Sequence, residues 1–131
     1  MKIAVVAPSC SLHPQAAEAV RAIVATRGGA EILIHEQCFA SAGHFAGPDI
    51  QRLAALREAM ADPSVDAIWF ARGGYGSNRI AEAALADISV PAMRKAYLGY
   101  SDAGFLLAGL PVARTMAARG SMPLPPTPQK W

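Results

Sequence analysis

Four times within the first 110 residues, a short apolar, β-prone run gives way to a segment whose apolar positions recur at helical spacing. The runs are Ile3–Ala7, Ala30–His35 (around Ile32-Leu33-Ile34), Val65–Phe70 and Ala96–Leu98. The first is apolar on both faces, the mark of a strand buried in a parallel sheet, and Ile32-Leu33-Ile34 reads as a second buried strand. The first helical segment spans Pro14–Arg27, with Ala16, Ala19, Val20, Ile23 and Val24 on one side and Gly28-Gly29 as its stop. The second runs from Pro48 to Ala61, turns Leu53, Leu56, Ala59 and Met60 inward, and carries Asp49 in its first turn. A third follows the Gly73–Gly76 turn and passes through Ile80 and Leu85, and a fourth covers Ala103–Leu110.

Strand and helix alternating with short connections imply an α/β chain, a flavodoxin-like three-layer domain with a parallel sheet between helices. Such sheets gather chemistry at the carboxyl ends of their strands. Four turns lie there: Pro8–Ser11, Gln37–Gly47, Arg72–Ser77 and Gly99–Asp102. With 131 residues the chain has room for one core. Its 53% hydrophobic and 17% charged content excludes disorder, and a net charge of +2 with no basic stripe argues against a nucleic-acid partner. Two cysteines, Cys10 and Cys38, make no disulfide framework. The apolar start is broken at Pro8, too early for a signal peptide, and no run reaches membrane-spanning length. A cytoplasmic protein without a membrane partner is the expectation.

Two turns could carry chemistry. In Leu98-Gly99-Tyr100-Ser101-Asp102-Ala103-Gly104 a serine stands between an apolar strand and an apolar helix, as a nucleophile elbow is written. A helix starting at Asp102 would aim free N–H groups at a developing oxyanion. Ala103 replaces the second glycine of G-x-S-x-G, and an ordinary Ser-Asp helix cap fits the same residues. In Trp69-Phe70-Ala71-Arg72-Gly73-Gly74-Tyr75-Gly76-Ser77, three glycines after a strand allow close backbone approach to a ligand, or simply a tight turn. Neither a Walker motif nor a dinucleotide fingerprint is present.

Together, Asp62 to Ser77 and Tyr97-Leu98-Gly99-Tyr100-Ser101-Asp102 resemble the LD-carboxypeptidase family of serine peptidases, and Ile3 to Ser9 resembles its first strand and turn. The likeness runs from the start to about Leu110. It implies a flavodoxin-like amino-terminal domain with the elbow after the fourth strand, a Ser–Glu–His triad, and neither metal nor cofactor. Ser101 matches the nucleophile. The backbone N–H of Asp102 matches one oxyanion donor, and Gly74 is the expected source of the other. Arg72 and Tyr75 lie where they could shape a substrate pocket or brace the turn. Ala103-Gly104 departs from the commoner Ile-Thr after Ser-Asp.

The resemblance places the Glu and His of the triad in a carboxy-terminal domain that these residues do not include. His13, His35 and His44 lie near the expected rim, but none matches that base, and without a base a serine hydroxyl is a poor nucleophile at neutral pH. Residues 1–110 therefore read as the amino-terminal domain and 111–131 as a tail, with four prolines between Met122 and Trp131 that exclude a helix or interior strand. Val112–Met116 stands where the family continues through His-Gly-Pro, a tripeptide that codons for Ala113–Met116 can contain in a neighbouring frame. An out-of-frame origin of the tail is the expectation, and the gene read in all frames tests it.

The implied activity is release of terminal D-alanine from murein tetrapeptide, by cleavage of its L,D bond, in peptidoglycan recycling, with this chain inactive alone. Full-length relatives are expected to be homodimers. Three alternatives stand: a non-catalytic truncated remnant, an immunity hydrolase acting on a peptidyl-nucleotide antibiotic, and a binder of phosphate-bearing ligands at Gly73–Gly76.

Overall fold

A computed structural model describes residues 1–110 and 115–117. Its centre is a parallel sheet of order β2-β1-β3-β4-β5, formed by β1 (Lys2–Val6), β2 (Glu31–Ile34), β3 (Ala67–Phe70), β4 (Ala96–Gly99) and β5 (Thr115–Ala117). Registers such as Val5↔Ile34, Val5↔Trp69 and Ile68↔Tyr97 align the carboxyl ends of the first four strands. The expected α/β, flavodoxin-like arrangement is the observed one, with a fifth strand added beyond Leu110: Leu98 pairs with Met116 and Gly99 with Ala117. The proline-rich stretch from Met122 lies outside the described residues.

The helices α1 (Pro14–Arg27), α2 (Asp49–Ala61), α3 (Asn78–Leu85), α4 (Val90–Met93) and α5 (Gly104–Leu107) cover the sheet. On one face α2, α3 and α5 pack Leu56, Met60, Ile80, Ala84 and Leu106 against Val6, Ile68, Phe70 and Tyr97. On the other, α1 sets Ala16, Ala17 and Val20 against Val5, Ala7 and Ala71. Small alanines on α1 let helix and sheet approach closely, with Leu12, Ile32, Ile34 and Trp69 filling the margins of this layer.

One local expectation fails. The last helical segment is shorter than the expected Ala103–Leu110: Ser101–Ala103 forms a 3-10 turn, and α5 is only four residues long. Ser101, whose φ of 53° lies outside the right-handed helical region, opens that turn. No described helix is long and apolar enough to cross a membrane.

Candidate active site

Ser101 is the only non-glycine among the described residues with positive φ, and it is solvent-exposed at the carboxyl end of β4. A serine held there stores backbone strain of about 1–3 kcal/mol and persists only if its surroundings over-determine it. Those surroundings are the two turns singled out by sequence. Gly73 lies so close that a Cβ on it would sit 2.8 Å from Ser101 Cβ, 3.0 Å from Ser101 Oγ and 3.5 Å from the Asp102 nitrogen. Only glycine permits this approach of the post-β3 turn to the elbow. Gly74 adopts φ of 107° and faces Cys10, whose Sγ would lie 2.3 Å from an added Cβ. Turns after β1, β3 and β4 thus converge.

Polar side chains buried between these turns fix them. Asp102 is nearly buried, and its Oδ2 accepts from Ser9 Oγ at 2.5 Å and from the Ser77 N–H at 2.8 Å. The Ser77 hydroxyl donates back to the Asp102 carbonyl. Arg52, from α2, is 1% exposed and acts as a second tie. Its guanidinium donates to the carbonyls of Pro8, Gly76 (2.8 Å) and Gly47 (3.2 Å), and to Asp49 Oδ1. Gln37 is equally buried; it accepts from the Ala7 N–H at 3.1 Å and donates to Ala7 O at 2.8 Å and Ala46 O at 2.7 Å.

Arg72 and Tyr75 take different places. The Arg72 guanidinium donates to Ser11 O at 3.1 Å, bracing the post-β3 turn against the post-β1 turn. Tyr75 is 48% exposed and joins an aromatic group, with ring centroids 5.9 Å from Phe45 and 6.0 Å from His44. The cations of Arg52 and Arg79 lie 4.8 Å and 5.3 Å from the Phe45 centroid. Asp49 sits below the usual carboxylate range, chiefly through its hydrogen bonds from Arg79 at 2.9–3.0 Å and through the charges of Arg79 and Arg52.

The three histidines have local partners. His13 Nδ1 accepts from the Gln15 N–H and caps α1, whereas His35 Nδ1 accepts from the Gln37 N–H and its Nε2 lies 3.4 Å from Glu58 Oε2. His44 stacks obliquely on Phe45, centroids 4.0 Å apart. Neither cysteine is in a disulfide; Cys38 is buried, which pushes its thiol up to about 12. Among the described residues no group of three or more His, Cys, Asp or Glu could hold a metal ion. Beside Ser101 lies an open, shallow apolar surface of Gly104, Phe105 and Ala108.

Sequence reasoning missed Arg52, Gln37 and the Asp102 side chain. A strongly polar residue within an apolar helical stripe, as Arg52 is beside Leu53 and Leu56, is the signal that could have found the first.

Residues 3–118 match the family model for the LD-carboxypeptidase N-terminal domain. A putative carboxypeptidase of Rickettsia conorii is 35% identical over 104 residues, 78% of this chain and 31% of that protein. A probable murein peptide carboxypeptidase of Bacillus subtilis is 43% identical over 67 residues, 49% of this chain and 20% of that protein. Among solved structures, the muramoyltetrapeptide carboxypeptidase of Oxalobacter formigenes superposes with a TM-score of 0.66 at 24% identity, over 79% of this chain and 34% of that one. The chain thus spans about a third of the length of the first of these relatives and of that solved structure.

Proposed function

This chain belongs to the LD-carboxypeptidase family, and on that premise we propose that it is the nucleophile-bearing part of a serine carboxypeptidase that removes terminal D-alanine from murein tetrapeptide. The observation that carries the proposal is the exposed Ser101, at positive φ with Gly73 pressed against it. Ser101 Oγ attacks the carbonyl carbon of the L,D amide, and the negative charge moves onto the carbonyl oxygen. The N–H groups of Asp102 and Gly74 receive that oxyanion. A histidine from the remaining length of the full protein, oriented by a glutamate, takes the Oγ proton and returns it to the departing D-alanine amine. Water then hydrolyses the ester on Ser101 and frees the shortened peptide. Tyr75, exposed within the glycine turn, is a side chain for the peptide to rest on, whereas the bond from Arg72 to Ser11 supports a bracing role for Arg72.

The murein substrate is supported by the Bacillus subtilis relative, which is 43% identical over 67 residues. The test is D-alanine release from murein tetrapeptide by this chain and by a form extended to the length of its relatives, each with and without Ser101→Ala. The extended form should be active, this chain alone nearly silent, and both Ser101→Ala variants inert. Release that survives Ser101→Ala, or an extended form that releases none, refutes the proposal.

A further inference from the structure

Beyond its backbone N–H, Asp102 has a carboxylate that the reaction above does not use. That carboxylate sits between the three turns that make the site. One oxygen, Oδ2, receives the Ser9 hydroxyl from the post-β1 turn and the Ser77 N–H from the far end of the glycine turn. The Asp102 carbonyl receives the Ser77 hydroxyl, so Ser77 is held at two points. Ser9 and Ser77 are fully buried and Asp102 is 8% exposed. The glycine turn is therefore anchored at its start by the Ala71 N–H on Val6 O (2.9 Å) and at its end by Asp102. Between the anchors lie Gly73, in contact range of Ser101, and Gly74, the second oxyanion donor of the proposed reaction.

We infer that Asp102 is a positioning residue, whose side chain sets the separation of the two oxyanion donors by tying the glycine turn to the elbow through Ser77 and Ser9. The inference rests on the serine-hydrolase reading above. The tie is geometric: the carboxylate touches neither substrate nor reacting atoms. Its effect belongs to the transition state, because only there does the carbonyl oxygen need both N–H groups at hydrogen-bond distance.

The experiment uses the extended form and murein tetrapeptide, with active sites counted by a fluorophosphonate so that turnover is expressed per competent serine. Removing one oxyanion donor costs about 100- to 1,000-fold in kcat. Asp102→Ala should lower kcat per titrated site by about 100-fold and leave KM within about threefold. Asp102→Asn keeps an oxygen that can accept from both Ser9 and Ser77, and should stay within about tenfold of the parent. A merely structural role would reduce the number of titratable sites and leave kcat per site unchanged. If Asp102→Ala does not fold, Ser77→Ala and Ser9→Ala each remove one tie, and the same split should appear in smaller degree. Parent-like kcat per site in Asp102→Ala, or in both serine variants, overturns the positioning role. So does an Asn variant as slow as the Ala variant. Hydrolysis that survives Ser101→Ala overturns the hydrolase reading instead, and the inference falls with it.

Discussion

Replacing Arg52 by methionine keeps most of the side-chain volume and deletes every donor at the centre of the site's scaffold. The guanidinium serves the carbonyls of Pro8, Gly76 and Gly47, and its side chain has no solvent exposure. After the substitution the carbonyls of Pro8 and Gly47 lose their donor inside the protein, whereas Gly76 O keeps the Arg79 N–H at 3.2 Å. Each stranded buried acceptor costs about 1–3 kcal/mol, less wherever the loosened turn lets water in. The lost attraction to Asp49 adds little, because that carboxylate is 41% exposed and keeps Arg79 as a partner. Releasing Arg52 from its own desolvation offsets part of the loss. The net expectation is about 3–5 kcal/mol of destabilisation, the range seen when one partner of a buried ionic contact is removed. Urea denaturation followed by tryptophan fluorescence measures it, with Arg79→Ala as the control. That arginine shares Asp49 from an exposed position, so its loss should leave the urea midpoint within error. An Arg52→Met midpoint as close to the parent's as the control's would refute the claim that Arg52 holds the three segments together.

Three further outcomes follow from the same contacts. Gly73→Ala places a Cβ 2.8 Å from Ser101 Cβ, so the serine must move; fluorophosphonate labelling of Ser101 in the extended form should slow about 100-fold, and an unchanged rate would show that the turn yields instead. Native-state alkylation near pH 8, counted by mass, should modify the half-buried Cys10 and spare Cys38, whose burial pushes its thiol up to about 12; equal labelling would contradict that burial. Burial holds the Lys95 ammonium below its usual 10.5, so the unfolded chain binds more protons as pH approaches that value, and this residue's contribution to stability rises with pH. Cys38 acts in the opposite sense above its unfolded value of 9.0, so the quantity to read is the difference between Lys95→Met and the parent from about pH 8 to 10, which should drift in favour of the parent.

How much of this could be read from sequence depended on whether a signal was local. Helix α1 was legible end to end, because Pro14 can only begin a helix and Gly28, at φ of 66°, can readily end one. The first four strands were legible to within two residues from apolar runs alone. The glycine turn and Ser101 are legible as two of four turns at the carboxyl ends of the strands, but the Gly73 contact that joins them needs the sheet order. Arg52 shows in sequence only as a polar residue in an apolar helical stripe, and its contacts, like those of Gln37 and the Asp102 carboxylate, were illegible for a common reason. Each is polar in sequence, yet each is buried by segments 24 to 93 residues away, which propensity and periodicity do not register. The elbow helix was overread only at its far end: α5 holds Phe105-Leu106-Leu107, as their apolarity implies, and stops before Ala108.

A strained elbow also explains why the polar ties are where they are. Relaxing Ser101 to negative φ would swing the Asp102 backbone, and that swing would have to break the Ser77 pair and the Ser9 contact together. Each such hydrogen bond is worth about 0.5–1.5 kcal/mol net, rising to about 1.5–3 where the acceptor is ionised, so three of them together exceed the strain they oppose. All the groups involved lie within residues 9–102, so the geometry of the elbow is held without help from the length this chain does not span. Reactivity is a different matter: among the described residues His13 and His35 are turned to capping, and His44 to the aromatic group. Placement of Ser101 and activation of Ser101 are thus separable. A crystal structure of residues 1–118 should retain the positive φ at Ser101 even though the same polypeptide reacts with a fluorophosphonate far more slowly than the extended form. A relaxed elbow in that structure would mean that the shape of the site, and not only its proton acceptor, depends on the rest of the protein.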